Sequence, residues 1–207
     1  MSGEFVYDAG EPWLNLLATR ARSWTSAPRE RLVDEAALGR WLEGGGVRPA
    51  RMSREDLAAA RELREAMRAV ACTQLGISSA PDAPRRPAAL EVVNNWAVRR
   101  HPGRARWAHG SLIRTQVRSV SQILARLADD CLTCLTDHAH PALDACADTE
   151  CRMLFLDTTG RRRYCGDNCA VRNRVRRHRA KSVSEVLMPA RQDGSEQGAR
   201  RGGRVSR

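Results

Sequence analysis

The sequence predicts a mainly α (α+β) protein: an N-terminal helical domain with room for one small β-hairpin, followed by a compact module of knuckle, hairpin and helix. Three observations carry this. Apolar residues recur at helical spacing in several segments before residue 137. Four of the seven cysteines then fall in two close pairs, Cys146-x4-Cys151 and Cys165-x3-Cys169, with thirteen residues between the pairs. The formal charge of +11 is also lopsided, because residues 152–207 hold 15 Lys+Arg against 5 Asp+Glu. The chain therefore divides into a helical domain over 1–137, a cysteine module over 138–183 and a disordered basic tail over 184–207.

In order along the chain, Pro12 suits a first helical position, and Trp13, Leu14, Leu16, Leu17 and Ala21 supply an apolar face through about Trp24. A loop over 25–31 follows. Asp34 caps a short helix carrying Leu38, Trp41 and Leu42, which Gly44-Gly45-Gly46 ends. Ser53-Arg-Glu-Asp56 resembles a capping box, and Leu57, Ala60, Leu63, Met67, Val70 and Ala71 then recur at helical spacing to about Gly76. Residues 78–87 read as a surface loop, and 88–98 as another helix with Leu90, Val93 and Trp96. Pro102-Gly103 suits the turn of a small hairpin pairing around Trp107. Ile113, Val117, Val120, Ile123, Leu124, Leu127, Cys131 and Leu135 predict a long amphipathic helix over 111–135.

The cysteine pairs carry the chemistry. Two local hooks separated by about a dozen residues suit a closed tetrahedral site of four thiolates, here Cys146, Cys151, Cys165 and Cys169. Arg152–Asp157 reads as a strand, Thr158-Thr-Gly160 as a turn and Arg161–Tyr164 as the returning strand. The second hook then runs into a helix for which Asp167 or Asn168 serves as cap. That is a treble-clef-like arrangement. Its four ligands leave no open position, so the expected Zn²⁺ is structural. Ordinary buried cysteines and a cysteine-held Fe–S cluster are the competing readings. Cys131-x2-Cys134 shares a helix face, which suits packing or a redox pair. Cys72 reads as core, and His138 and His140 as linker residues.

From Arg161 to Lys181 there are nine basic residues and one acidic residue. Arg161, Arg162 and Arg163 precede the second hook, and Arg172, Arg174, Arg176, Arg177, Arg179 and Lys181 follow it. Such a run binds a polyanion by counterion release, with double-stranded DNA the expected partner. A solvated arginine face is the bland alternative, and because Lys181 is the one lysine, the choice of arginine is not by itself a sign of phosphate binding. Val171 and Val175 lie one turn apart and are expected to pack on the hairpin.

The module resembles the CGNR zinc-finger family, whose members join an N-terminal ABATE domain to a four-cysteine finger. The likeness lies in the cysteine spacing, Leu154–Thr159 (LFLDTT), the Arg162-Arg163-Tyr164-Cys165 approach, and Trp13–Thr19 (WLNLLAT), similar to the family's LD-x-x-NT segment. Leu38–Leu42, Leu63–Met67 and Ala89–Asn95 also sit where that family has helices. The resemblance covers about residues 5–182 and implies a bacterial transcription regulator with the finger on DNA. Two departures stand out. Ala170-Val171-Arg172 replaces the family's Gly-Asn-Arg, and Asn15 and Ala18 stand where it has Asp and Asn.

The expectation is a cytoplasmic DNA-binding regulator whose front domain receives a small-molecule or protein signal. An RNA- or protein-binding adaptor and a thiol redox sensor are the alternatives. No phosphate loop, nucleophile elbow, HExxH or paired-carboxylate motif appears, so no catalytic residues are expected. No signal-type leader or membrane span is expected either. Nothing in the pattern sets an oligomeric state.

Overall fold

The computed structural model describes residues 4–49, 51–78, 80, 82–101, 105–114, 119–136 and 142–187. Its elements run α1 (Pro12–Leu17), β1 (Arg20–Ala21), β2 (Arg29–Glu30), α2 (Glu35–Gly44), α3 (Arg54–Gln74), α4 (Arg86–Ala97), β3 (Ala105–Ala108), β4 (Ser111–Arg114), α5 (Val120–Thr136), β5 (Leu143–Ala145), β6 (Leu154–Leu156) and α6 (Asp167–Leu187). The strands form three antiparallel pairs, β1–β2, β3–β4 and β5–β6. The chain divides into two units, Met1–Ala170 and Val171–Arg207. Among the described residues, no helix is long and apolar enough to cross a membrane.

The central helix forms where its sequence signals lie. Ser53 Oγ accepts the Asp56 N–H at 3.2 Å and Asp56 Oδ2 accepts the Ser53 N–H at 2.9 Å, closing a reciprocal cap on α3. Asp34 likewise accepts the Ala37 N–H at 2.7 Å to start α2. Leu57, Ala60, Leu63, Met67 and Ala71 on α3 are buried against α1, α2, α4 and α5. Alanines at this contact let neighbouring helices approach closely, and one continuous core results.

Several expectations are corrected. The first helix ends at Leu17 instead of near Trp24. Thr19 donates its hydroxyl to Leu16 O at 2.7 Å, and the chain then turns extended so that Arg20 and Ala21 pair with Glu30 and Arg29. Trp24 leaves the expected helix face and lies beside Arg68, with its indole N–H on Ser78 O at 2.9 Å.

The long helix starts at Val120, because Ser111–Arg114 is a strand. The hairpin turn is His109-Gly110, with φ of 51° and 74°, not Pro102-Gly103, which lies outside the described residues. Two consecutive positive φ values match the turn whose twist suits a two-residue hairpin.

In the cysteine module, β6 pairs with β5 upstream of the first hook, in the register Leu143↔Leu156, Asp144↔Phe155 and Ala145↔Leu154. Residues 161–164 do not form the second strand. Their hydrogen-bonding groups are taken by the turn and the hooks, as described below. His138, His140 and the tail from residue 188 onward lie outside the described residues, whereas residues 184–187 continue α6.

The core also holds charge that apolar spacing did not reveal. Arg64 and Arg68 of α3 are each 2% exposed. Arg64 donates to Thr19 Oγ1 at 3.0 Å, Glu30 Oε1 at 2.7 Å and Glu65 Oε1 at 2.7 Å. Arg68 donates to Leu17 O at 2.7 Å and Glu65 Oε2 at 3.2 Å, and Arg20 reaches the same Glu65 oxygen at 3.2 Å. Burial on its own raises the Glu30 carboxyl, but the Arg64 hydrogen bond and charge outweigh it and hold the group below its ordinary value. Burial likewise opposes ionisation of Glu65, and the charges of Arg68, Arg64 and Arg20 overcome it.

Removing Arg64 leaves these carboxylates short of a partner. Arg64→Ala is expected to lower stability by about 2–4 kcal/mol, as read by urea denaturation. Because Glu30 and Glu65 ionise more readily folded than unfolded, the unfolded chain binds more protons in acid. Their contribution is therefore complete above the ordinary glutamate value of 4.5 and lost as pH falls below it. Arg64→Ala should flatten that acid limb of the stability profile.

A second test concerns Gly10, at φ 109°, where an added Cβ would lie 2.6 Å from Leu156 Cβ. Gly10→Ala should cost about 2 kcal/mol or more, read as a lower Tm.

Candidate metal centre

Each hook is built by backbone bonds that follow from its sequence. In the first, Asp148 O accepts the N–H groups of Cys151 and Arg152, both at 2.9 Å, and Asp148 Oδ1 accepts that of Glu150 at 3.2 Å. Arg152 takes a positive φ of 42°, and the Cys146 N–H reaches Met153 O at 2.9 Å. This closes the knuckle on the end of the β5–β6 hairpin. Asp148 is fully buried and organises the loop from inside.

Asp157 then organises the return. Its Oδ1 accepts the Thr159 N–H at 2.9 Å and the Thr159 hydroxyl at 2.6 Å, and Oδ2 accepts the Arg162 N–H at 2.6 Å. The Thr159 hydroxyl bond and the backbone donors hold this carboxyl below its ordinary range. Arg163 O accepts the Ala147 N–H at 3.0 Å, so the second hook is tied to the first by backbone. Cys165 precedes α6 and Cys169 lies in its first turn, where the Cys169 N–H bonds Gly166 O at 3.1 Å. Asp167 sits inside this turn rather than before it, favourable to the helix dipole.

The result is convergence of four sulfurs. Sγ atoms of Cys146, Cys151, Cys165 and Cys169 all lie within 4.8 Å of one another. Cys151–Cys165 and Cys165–Cys169 are each separated by 3.6 Å. A tetrahedral ion with metal–sulfur bonds of about 2.3 Å requires edges of about 3.8 Å, so the donor set fits such an ion. Their mutual hydrogen bonding spreads the thiols apart: Cys146 is held below the ordinary thiol range, chiefly by Cys151, whereas Cys165 and Cys169 are pushed above it, chiefly by Cys146. A cation bound there would take all four as thiolates, the form in which they ligate.

Cys146 and Cys169 are buried, and Leu154 and Phe155 are fully buried in the core that also contains Trp13 and Met67. The Leu156 N–H bonds Ala9 O at 2.8 Å, and Arg22 pairs with Glu150 at 3.5 Å. Arg31, from the chain after β2, lies near enough to feel the charge of Cys151, though burial is the largest influence on it. The metal hooks and the helices thus share one folded unit.

The sequence profile of the ABATE family, described as "Putative stress-induced transcription regulator", matches residues 10–138. The chain belongs to the ABATE family. The profile of the CGNR zinc finger matches residues 143–182, which include all four converging cysteines. No match was found among curated proteins.

In this ABATE-family protein the expected basic residues divide into different environments. Arg162 is engaged within the module: its Nε donates to Tyr164 O at 3.1 Å, another donor reaches Cys165 O, and its guanidinium lies 4.8 Å from the Phe155 ring centre. Arg161 and Arg163 are exposed. On α6, Arg174, Arg177 and Arg179 are exposed, whereas Arg172 and Arg176 are half-buried. The side chain of Lys181 lies outside the described residues. Val171 and Val175, expected to be packed, are 51% and 43% exposed, since two valines among arginines make no buried stripe.

Cys131 and Cys134 are buried, and burial pushes both thiols up. That is opposite to the low pKa of a reactive thiolate. Cys72 is also buried, with its thiol raised by burial.

The signals for the supporting residues were weak. Asp157 reads in the sequence as the last residue of the expected strand, ahead of the Thr158-Thr-Gly160 turn, and Asp148 carries no signal there. Nothing local marked Arg31, and Arg162, expected among the nucleic-acid contacts, instead holds the carbonyls of Tyr164 and Cys165. Stripping metal with a chelator should lower the Tm of the 1–170 unit in one shifted calorimetric transition. Cys165→Ser should reproduce that shift and lose the metal by elemental analysis.

Proposed function

We propose that this ABATE-family protein is a non-catalytic, DNA-binding transcription regulator. Zn²⁺ held by Cys146, Cys151, Cys165 and Cys169 closes the two hooks, and the basic helix beginning at the second hook contacts duplex DNA. The observation that carries the reading is α6 itself: it begins beside Cys165 and presents exposed arginines at 174, 177 and 179. Four thiolates leave the ion no site for water or substrate, so its role is to hold the chain's turns in place. Arg161 and Arg163 are further candidates for phosphate contact, and Arg162 keeps the second hook in shape. Phosphate contacts set affinity, and sequence discrimination requires base-edge contacts beyond them.

Fluorescence anisotropy with duplex DNA, on protein carrying one zinc per chain, tests this directly. If about six phosphates are neutralised, affinity should fall roughly a thousandfold across about a fourfold rise in salt. Arg174→Ala, Arg177→Ala and Arg179→Ala should each weaken binding and reduce the log–log salt slope by about 1. Absence of binding at low salt by zinc-loaded protein sinks the reading. RNA competing far better than duplex DNA transfers it to an RNA-binding adaptor.

A further inference from the structure

We propose that the β3–β4 hairpin is a second contact with duplex DNA, a ribbon lying in the major groove with Trp107 and Leu112 against thymine methyl groups. This deepens the DNA-binding reading and rests on it.

The ribbon packs chiefly on itself. Its register pairs Trp107 with Leu112 and Arg106 with Ile113. Side chains alternate between faces along a strand, so Trp107 and Leu112 stand side by side on one face, while Arg106 and Ile113 share the other. Trp107 is 75% exposed and Leu112 62%, and Arg106 is exposed as well. The other tryptophans are covered: Trp13 and Trp41 are buried, and Trp24 and Trp96 half-buried. An indole and an isobutyl group left open together on one ribbon form an apolar patch that a partner can cover.

Charge identifies the partner. From Val92 to Ala128 the sequence holds seven arginines and no Asp or Glu. Arg100 and Arg126 are answered by Asp129 and Asp130 of α5, but the ribbon itself carries no carboxylate. A second copy of this chain would set the ribbon against itself, arginine facing arginine with no acid to answer either. A polyanion supplies the missing charge.

The shape of the ribbon selects the duplex. A major groove about 12 Å wide admits a two-stranded β-ribbon, and the apolar feature of its floor is the C5-methyl of thymine. The Trp107–Leu112 pair suits that methyl, which leaves Arg106 for a phosphate. The hairpin belongs to the 1–170 unit, so this contact is additional to those of the arginines at 174, 177 and 179.

The test uses zinc-loaded full-length protein with duplexes of alternating A·T pairs, the same duplex with deoxyuridine in place of thymidine, and alternating G·C pairs. By fluorescence anisotropy, the A·T duplex should bind about threefold or more tighter than its deoxyuridine counterpart, which lacks only the methyls. Trp107→Ala should keep its zinc and its Tm, weaken A·T binding about tenfold and abolish the thymidine–deoxyuridine difference. Arg106→Ala should lower the log–log salt slope by about 1 and leave that difference intact. Acrylamide should quench Trp107 in the free protein, saturating A·T duplex should protect it, and Trp107→Phe should lack the protected emission.

Equal binding of the thymidine and deoxyuridine duplexes, undiminished binding by Trp107→Ala, or a Trp107 still quenched at saturating DNA overturns the hairpin contact and leaves the reading of α6 standing. Single-stranded DNA competing as well as the duplex overturns the groove placement. Acrylamide protection that rises with protein concentration in the absence of DNA gives the face to a second copy and overturns the proposal. Failure of every duplex to bind at low salt is a failure of the DNA-binding reading itself, and the hairpin contact falls with it.

Discussion

The backbone bond from the Leu156 N–H to Ala9 O decides what kind of molecule this is. It brings the inner strand of the metal hairpin against the chain that leads into α1, and Gly10 provides the space for Leu156. Behind that bond, Leu154 and Phe155 are fully buried in the core formed by the helices. The four-cysteine hook is consequently part of a larger fold rather than a separate bead. Free energy released when a metal closes the hook stabilises the helical portion as well, since the two share apolar surface.

The helical portion has an analogous organising element in its polar core. Glu65 lies among Arg20, Arg64 and Arg68, while Glu30 closes on Arg64 from β2. The short β1–β2 ribbon places Glu30 against Arg64. Low polarity in the interior makes each missing partner costly, so the network specifies one arrangement of α1, β1, β2 and α3. The price is sensitivity to acid, where the carboxylates lose the charge that holds the guanidiniums.

Arginine serves different purposes within this one chain. Arg64 and Arg68 satisfy buried acceptors, and Arg162 fixes the carbonyls of the second hook while covering Phe155. Arg174, Arg177 and Arg179 face solvent and are available to a polyanion. Total charge conceals this division. A guanidinium's planar fork suits all three settings, whereas a lysine would serve only the last comparably.

The sequence by itself determined the principal helices, the caps at Asp34 and Ser53, the cysteine quartet and the family kinship. Those features are local: a side chain reaches a nearby amide, apolar residues repeat every turn, and paired cysteines form a knuckle. It also foretold the helix after Cys169. Tertiary structure decided where α1 stops, which strand pairs with β6, and which arginines are buried. Each depends on partners distant in sequence, such as Glu30 for Arg64 and Leu143 for Leu156. Even the cysteine module, legible as four ligands, acquired its hairpin from the residues before Cys146. Spacing alone showed that four sulfurs could meet; only the folded chain showed that they meet against the core of the ABATE domain.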